Sequence, residues 1–242
     1  ITDTPDQNTE CTDEYACNYN DGISSDACCS YDCYESVEYS LNFDGNSNIK
    51  IIDFSDNHLI TNELTLSLQF KATNQSEVAQ RLVTTENSND FFIMLDDCPN
   101  QNNQRGIKFN IENEYEICYT GIDPNDNEWH DVIGTWDGSI MRLYIDGHLV
   151  EQLNNNTTLN TSRPVYLSPP EGSEEFYGFM KNFSIWDRSL SQSEAEFFSY
   201  DLNGCYESSL LAFYPFNAGT GNILVDYSGN QNHGTIYGAE WV

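Results

Sequence analysis

Alternation of apolar and polar residues is the main pattern of the chain from about residue 37 onward. In ELTLSLQF (63–70) the leucines and the phenylalanine fall on one face of an extended chain, and the polar residues fall on the other. MRLYIDGHLV (141–150) repeats the pattern, with Met141, Leu143 and Ile145 on one side. Because successive side chains of a strand point to opposite faces, this period of two predicts short antiparallel strands that each bury one face.

Turn and capping signals divide these strands. Asp137-Gly138 and Asp146-Gly147 are two-residue hairpin signals, since a type I′ turn needs positive φ at both central residues. One helix is predicted in SLSQSEAEFFSY (189–200), where Ser191 is the N-cap and Glu194 completes a capping box. The predicted fold class is therefore all-β, a sandwich or jelly roll with one short helix.

A predicted meander indicates where a binding site lies. We predict four successive antiparallel strands over residues 91–96, 106–111, 115–119 and 129–136. Their connections alternate between the two ends of a sheet, so the loops 97–105 and 120–128 share an end, near the Asp146-Gly147 turn. Both loops are long and rich in oxygen-bearing side chains, which suits them to binding. The candidate ligand-binding residues are Asp97, Asn100, Tyr119, Asp123 and Asn125.

The cysteines predict disulfides. Their even number, eight, and the acidic, Asn-rich composition favour disulfides over zinc. Residues 1–36 are Cys-rich and have too little apolar sequence for a core, so we predict a small disulfide-stapled module before a domain at 37–242. Cys98 and Cys118 fall at one end of the predicted meander, which allows a bridge between them. Cys205 is then the natural partner for the odd cysteine of the N-terminal group. These features predict a secreted protein.

Charge excludes some partners. Nine Lys and Arg residues stand against 39 Asp and Glu residues, giving a formal net charge of −30. A phosphate backbone and an anionic membrane surface both require clustered cations, so neither nucleic acid nor direct membrane insertion is expected. The longest apolar runs are also too short to span a bilayer. Five N-x-S/T sequons suit an extracellular protein, although sequons arise readily by chance in an Asn-rich chain.

Two loops are candidate calcium sites. DYSGNQNHGT (226–235) carries oxygen side chains at alternate positions, and its candidate ligands are Asp226, Ser228, Asn230 and Asn232. A chain that bends around calcium presents alternate side chains to it, although this set has only one charged ligand. The alternative is a polar turn between two strands. A second candidate is FDGNSN, with Asp44 and Asn46, for which the alternative is a hairpin around Asp44-Gly45.

Three segments in order carry a resemblance: SLNFDGNSNIKI (40–51), EWHDVIGTWDGSIMRLYIDGHLVE (128–151) and FYGFMKNFSIWDRSLSQSEAEFF (176–198). Residues 37–242 resemble the laminin-G-like members of the concanavalin A-like lectin/glucanase superfamily. The resemblance implies a jelly-roll sandwich of two curved antiparallel sheets, often calcium-bearing, in adhesion and carbohydrate recognition. Trp129, Trp136 and Trp186 lie in the strand patterns of the sequence, so we expect them to pack in the core. The N-terminal segment resembles short acidic Cys-rich modules of secreted surface proteins.

The resulting functional prediction is a calcium-supported extracellular recognition module. Its expected partner is carbohydrate or a glycoconjugate on a cell surface or matrix, with further domains of a larger surface protein as possible neighbours. The alternative is a calcium-stiffened spacer or a protein-binding domain of a large adhesin. Glucanases share the fold, but their E-x-D-x-x-E strand motif is absent from the sequence, so we predict no enzymatic activity.

Overall fold

The computed structural model describes residues 11–17, 19, 29, 31, 38–54, 59–73, 78–86, 90–112, 115–170, 172, 174–198 and 208–242. Within these ranges it contains eighteen strands and one short helix. In chain order they are β1 (Leu41–Asp44), β2 (Asn48–Asp53), β3 (Leu59–Thr61), β4 (Leu64–Ala72), β5 (Gln80–Thr85), β6 (Phe91–Cys98), β7 (Gln104–Ile111), β8 (Tyr115–Tyr119), β9 (His130–Trp136), β10 (Ile140–Ile145), β11 (His148–Asn154), β12 (Leu159–Thr161), β13 (Pro164–Leu167), β14 (Tyr177–Trp186), α1 (Gln192–Glu196), β15 (Leu210–Tyr214), β16 (Ile223–Leu224), β17 (Gly234–Tyr237) and β18 (Glu240–Trp241).

Two eight-stranded antiparallel sheets form the sandwich. The first sheet has the order β11-β10-β9-β4-β14-β1-β18, with β15 also paired to β14. The second sheet has the order β16-β17-β2-β13-β5-β6-β7-β8, and β12 pairs with β3 in a separate two-stranded sheet. This architecture confirms the predicted jelly-roll class. Among the described residues, no helix has the length and apolar character needed to cross a membrane.

The hydrophobic core lies between the two sheets. Leu64, Leu66 and Leu68 of β4 have no exposed surface, and they join Ile93 and Phe109 of the second sheet in one apolar cluster. The strand alternation in the sequence predicted these inward faces correctly. Removal of this apolar surface from water is the main favourable contribution to folding.

Helix α1 covers part of the outer face of the first sheet. Its Ala195 packs against Ile133 and Tyr144, which point away from the core. The predicted capping box is present, because Ser191 Oγ accepts the Glu194 N–H and Glu194 Oε2 accepts the Ser191 N–H at 2.7 Å. Burial opposes ionisation of Glu194, but Arg188 and the Ser191 cap lower its pKa to about 2.

Of the two predicted type I′ turns, one is wrong and one is confirmed. The Asp137-Gly138 turn is not type I′, because only Gly138 has positive φ, at 80°. The Asp137 carboxylate instead accepts the N–H groups of Ser139 (3.1 Å) and Ile140 (2.8 Å). The Asp146-Gly147 turn does have positive φ at both residues, 50° and 75°, as type I′ requires.

The prediction that the fourth strand of the meander lies in the same sheet as the other three is also wrong. β6, β7 and β8 are neighbours in the second sheet, as expected. β9, by contrast, lies between β4 and β10 in the first sheet, so the segment after β8 crosses from one sheet to the other. Alternation of side chains determines which residues face a core, but it does not assign a strand to one of two sheets.

The described N-terminal residues pack against the C-terminal part of the chain. A disulfide joins Cys11 and Cys29, whose Cα atoms are 5.1 Å apart. Cys11 shares a small apolar cluster with Tyr31 and Val225. The Tyr31 ring stacks on that of Tyr227 at 4.4 Å. The N-terminal segment is therefore stabilised by the larger domain as well as by its own disulfide.

A buried carboxylate joins these two parts. Asp13, only 2% exposed, accepts hydrogen bonds from the Tyr31 hydroxyl (2.6 Å) and from His233 Nε2 (3.0 Å). The Asp226 N–H donates to His233 Nδ1, so that nitrogen carries no proton and Nε2 is the donor to Asp13. Burial raises the pKa of Asp13, but its hydrogen bonds with His233 and Tyr31 outweigh burial and lower it. Cys205, the predicted partner of this segment, lies outside the described residues.

We expect Asp13→Ala to reduce the free energy of unfolding by roughly 2–4 kcal/mol, because two buried donors lose their acceptor. Urea unfolding at pH 7 measures this. Glu38→Ala is the control, since Glu38 forms an exposed ion pair with Lys181 worth at most about 1 kcal/mol.

The difference in unfolding free energy between wild type and Asp13→Ala should depend on pH. The lowered pKa of Asp13 contributes stability above its ordinary value of 3.8, and that contribution is lost as the pH falls through the folded-state pKa. The difference between wild type and Asp13→Ala should therefore shrink in strongly acidic solution. A difference that stays constant with pH would contradict the assignment.

Candidate functional site

A disulfide holds together the loops that follow β6 and β8. Cys98 ends β6 and Cys118 lies in β8, with β7 between them, and their Cα atoms are 5.7 Å apart. The bridge passes over Gly106 of β7. A Cβ atom at Gly106 would lie 2.7 Å from Cys98 Sγ and 2.4 Å from the carbonyl oxygen of Tyr119. Only glycine fits in this space, so the disulfide and Gly106 form one structural unit.

Gln101 fixes the loop between β6 and β7 to the segment after β8. Its Nε2 donates to the Cys118 carbonyl at 2.8 Å, and its Oε1 accepts from the Thr120 hydroxyl. The backbone N–H groups of Gln101 and Asn103 both donate to the Cys98 carbonyl. These contacts place the two predicted binding loops side by side, although the predicted four-strand meander does not exist.

Arg105 is the residue at this end of the sandwich that the sequence analysis missed. It lies opposite Asp97 in the β6–β7 pair and has the same side-chain parity as the core residue Ile107. Both side chains therefore point toward the end of the space between the sheets. Arg105 Nη2 donates to the Val78 carbonyl at 2.8 Å, whereas its Nε and Nη1 are buried and have no hydrogen-bond partner among the described residues.

The electrostatic surroundings of Arg105 are acidic. Burial lowers the pKa of its guanidinium group. Three neighbouring carboxylates oppose that shift, those of Asp96, Asp97 and Asp123. Since the chain has only nine Lys and Arg residues, an arginine between two loops full of acidic and amide side chains was a signal that the sequence offered.

Asn125 lies in the segment that follows β8. Its N–H donates to Asp123 Oδ1 at 2.9 Å, which forms a local turn. Asn125 is only 7% exposed, and within the described part of the chain its buried Oδ1 has no hydrogen-bond partner. This end of the sandwich therefore offers both an unpaired acceptor and unpaired donors.

The structure places all five predicted ligand-binding residues at this end. Asp97 is the penultimate residue of β6, Tyr119 ends β8, and the other three lie in the two loops. We call the following set the Arg105 site: Asp97, Asn100, Arg105, Tyr119, Asp123 and Asn125.

His130 connects the neighbouring loops. It is 8% exposed, its Nδ1 lies 2.9 Å from Asp146 Oδ2, and its Nε2 lies 3.2 Å from Asp126 Oδ1. Burial lowers the pKa of His130, but the hydrogen bonds with Asp146 and Asp126 outweigh it, so the pKa is raised above 6.5. His130 thus holds the segment after β8 against the Asp146-Gly147 turn.

The prediction that Trp129 packs in the core is wrong. Trp136 and Trp186 are buried as expected, whereas Trp129 is 38% exposed. The Lys181 ammonium lies 5.0 Å from the centre of the Trp129 ring. Trp129 immediately precedes β9, where the chain is still crossing between the sheets, so its parity in the sequence did not indicate burial.

The Asp226 loop uses its oxygen atoms inside the protein. Asp226 has no exposed surface; its Oδ1 accepts the N–H groups of Phe213 and Ser228, both at 2.9 Å. Its Oδ2 accepts from the Ser228 hydroxyl (2.8 Å) and the Asn232 N–H (2.9 Å). Burial raises the pKa of Asp226. The side-chain amides of Asn230 and Asn232 donate to the carbonyls of residues 210 and 211.

In this arrangement the protein's own donors bond the Asp226 carboxylate. A carboxylate has about four acceptor sites, and protein donors occupy four at Asp226. The loop thereby fixes β15 to the end of the second sheet. Across the described residues, no group of three or more His, Cys, Asp and Glu side chains is placed to hold a metal.

The Asp44 loop is a local turn as well. Asp44 Oδ1 accepts the Asn46 N–H at 2.9 Å, and Ser47 Oγ accepts the Asp44 N–H at 3.2 Å. The expected hairpin is absent, because β1 belongs to the first sheet and β2 to the second. Asp44 and Asn46 are exposed, and they offer only one carboxylate to an ion.

Comparison with profiles of protein families identifies the family to which the chain belongs. The profile of the concanavalin A-like lectin/glucanases superfamily, laminin G type, matches residues 43–196. The chain belongs to this superfamily. The match spans strands of both sheets, all of the Arg105 site and helix α1, and it confirms the resemblance found in the sequence. The comparison with curated protein sequences gives no significant match.

Solved structures show the same fold as this laminin-G-like domain. A candidate carbohydrate-binding protein of Bacteroides ovatus has a TM-score of 0.67 and 14% identity, over 85% of this chain and 60% of its own. The heptameric SAP-like pentraxin of Limulus polyphemus has a TM-score of 0.53 and 14% identity, over 66% of this chain and 80% of its own.

A third solved structure is domain 4 of AbnA, an extracellular GH43 arabinanase of Geobacillus stearothermophilus, in complex with arabinotriose. It has a TM-score of 0.52 and 15% identity, over 68% of this chain and 78% of its own. At these identities the likeness shows the fold alone. The chain spans less than two thirds of the Bacteroides ovatus protein.

We expect the contribution of His130 to stability to depend on pH. Because its folded-state pKa is raised above 6.5, the contribution is complete below pH 6.5 and is lost as the pH rises through the folded-state pKa. Thermal unfolding of wild type and His130→Gln between pH 5 and 9 measures this. The gap between the two unfolding temperatures should narrow with rising pH. A gap that widens would show that the neutral imidazole is the form held by the loops.

We expect Asp226→Asn to reduce the free energy of unfolding by roughly 2–4 kcal/mol, because an amide N–H group would face buried donors. Asp44→Asn is the matched control and should change it by about 0.5 kcal/mol or less. Urea unfolding, repeated with calcium and with magnesium, checks both. If calcium but not magnesium stabilised the wild type, and this effect disappeared in Asp226→Asn, the result would contradict a purely structural role. It would show that calcium binds at the Asp226 loop.

Proposed function

We propose that this laminin-G-like domain is an extracellular recognition module that binds carbohydrate at the Arg105 site. The observation that carries the proposal is the set of buried polar atoms without partners, Nε and Nη1 of Arg105 and Oδ1 of Asn125. An unpaired buried polar atom costs roughly 1–3 kcal/mol. A polar ligand that reaches these atoms and supplies the missing hydrogen bonds would therefore be bound favourably.

The chemistry of the site suits hydroxyl groups. Arginine only donates hydrogen bonds, an ionised carboxylate only accepts them, and an amide side chain does both. A sugar hydroxyl can donate and accept at once, so two adjacent hydroxyls can bridge Arg105 and a neighbouring carboxylate such as Asp97 or Asp123. The half-buried Tyr119 ring beside the Cys98–Cys118 bridge offers an apolar surface for a sugar ring.

Other observations support this assignment. The printed names of two structural neighbours refer to carbohydrate, one as a candidate carbohydrate-binding protein and one as a complex with arabinotriose. The two disulfides, Cys11–Cys29 and Cys98–Cys118, suit an oxidising extracellular compartment. Adhesion through a glycan on a cell surface or matrix is part of the proposal.

The proposal includes binding without cleavage of the ligand, as the sequence predicts. Release of reducing sugar from a bound oligosaccharide would contradict that part. Calcium support of the domain stays a prediction, including calcium at the Asp226 or Asp44 loop. Binding measured with and without EDTA tests it.

We expect Arg105→Gln to weaken carbohydrate binding roughly ten- to a hundredfold, since a hydrogen bond to a charged group contributes about 1.5–3 kcal/mol. An array of neutral and acidic oligosaccharides that includes arabinotriose identifies the strongest ligand, and calorimetry then gives its Kd. The stability of Arg105→Gln should change little, because the N–H groups on two of the three side-chain nitrogens have no partner among the described residues.

Arg142→Gln is the matched control. Arg142 is paired with Asp137 at 2.7 Å on the first sheet, at the opposite end of β9 from the Arg105 site. Its loss removes the same charge and should leave the Kd unchanged. Equal weakening in both variants would show a general charge effect. Unchanged binding in Arg105→Gln would exclude the proposed site.

A further inference from the structure

Five N-x-S/T sequons occur in the chain, at Asn74, Asn155, Asn156, Asn160 and Asn182. Asn74 lies outside the described residues. The fold separates the other four into two whose side chains are engaged in packing and two that are open to solvent. We propose that Asn156 and Asn160 carry N-linked glycans and that Asn155 and Asn182 do not.

Asn155 is incompatible with a glycan in the folded protein. Its side chain is 1% exposed, and its Nδ2, the atom that would bond to the sugar, donates to Met141 Sδ at 3.3 Å. Its backbone N–H donates to the Ser139 carbonyl at 2.7 Å. A sugar on Nδ2 would have to occupy space filled by the core of the first sheet, so a chain modified there could not reach this fold.

Asn182 lies in β14, and its side chain is hydrogen-bonded to the neighbouring strand β4. It has positive φ, 53°, at an irregularity in the pairing of β14 with β4, and its Nδ2 donates to Gln69 Oε1 at 2.6 Å. The hydroxyl of its sequon belongs to Ser184, which is completely buried and lies 2.7 Å from Ser67 Oγ. A sugar on Nδ2 would leave one N–H on that atom and would have to fit into the part-buried space where Nδ2 donates to Gln69.

Asn156 and Asn160 meet the opposite condition. Both side chains are exposed, and so are the sequon hydroxyl residues Thr158 and Ser162. Asn156 lines an open groove of about 590 Å³ with Asn62, Ser139 and other polar residues. A glycan on Asn156 therefore has solvent and a polar surface beside it rather than packed core.

The chemistry requires a sugar donor of a known class. Asn Nδ2 attacks the anomeric carbon of an oligosaccharide carried on a lipid diphosphate. The new N–C bond forms as the C–O bond to the diphosphate breaks, the diphosphate leaves with the electron pair, and Nδ2 loses a proton. The disulfides Cys11–Cys29 and Cys98–Cys118 suit the oxidising secretory compartment in which this transfer takes place.

Both proposed glycans lie at the end of the sandwich opposite the Arg105 site. The bond from Asn155 to Ser139 places residues 155–158 beside the turn that follows β9, whereas the Arg105 site adjoins its start. The seven residues of β9 span about 20 Å at roughly 3.3 Å per residue. Glycans at Asn156 and Asn160 would leave the binding loops uncovered.

The sequons of Asn155 and Asn156 overlap, so substitutions one residue apart test the two sites separately. Thr157→Ala removes only the Asn155 sequon, and Thr158→Ala removes only the Asn156 sequon, one residue further along the same exposed loop. Ser162→Ala removes the Asn160 sequon. All three are made in an Asn74→Gln background, so that the sequon outside the described residues cannot contribute, and are secreted from eukaryotic cells. Stepwise enzymatic deglycosylation on gels counts the glycans, and tandem mass spectrometry locates them.

The parent and Thr157→Ala should each show two glycans, whereas Thr158→Ala and Ser162→Ala should each show one. Mass spectrometry should place them at Asn156 and Asn160. A glycan found at Asn155 or Asn182 in secreted, folded protein would overturn the proposal, as would an unmodified Asn156 or Asn160. Thermal unfolding of each variant confirms that a missing glycan does not reflect a misfolded chain.

Discussion

Each of the two sheets has an apolar inner face, and these inner faces leave water only when the sheets pack against each other. That packing requires inward side chains from β4 and its neighbours to meet those from β6 and β7, as Leu66 and Phe109 do. The connections are then confined to the ends and edges of the sandwich. The binding loops occupy one end because the strands that carry them are long enough to cross the core and stop there.

Buried carboxylates connect parts of the chain that are distant in sequence. Asp226 joins β15 to the loop before β17, and through His233 it is linked to Asp13 near the N-terminus. Such groups are stable in the interior only when donors surround them. The alternating polar residues of the Asp226 loop are explained by this requirement, since Ser228 and Asn232 donate to the carboxylate and Asn230 to the neighbouring backbone.

The Arg105 site differs from the Asp226 loop in one physical respect. Around Asp226 the protein itself supplies the hydrogen-bond partners, whereas Arg105 and Asn125 have buried atoms that find none in the described ranges. A satisfied buried group contributes to stability and has little capacity left for a ligand. An unsatisfied one is a cost that a ligand can offset. Hydrogen-bond satisfaction therefore distinguishes the Asp226 loop from the loops of the Arg105 site, although all of them are rich in oxygen-bearing side chains.

The sequence by itself determined the inward faces of β4 and β10, the capping box at Ser191 and Glu194, the type I′ turn at Asp146-Gly147 and the loops that form the Arg105 site. These follow from local rules: alternation of side chains, φ preferences and short-range hydrogen bonds. Only the tertiary structure decided that β9 joins the first sheet, that Trp129 is exposed, and that Asp226 accepts four hydrogen bonds from the protein. Those outcomes depend on which distant groups come into contact, and a pattern read along the chain carries no information about partners that lie far apart in sequence.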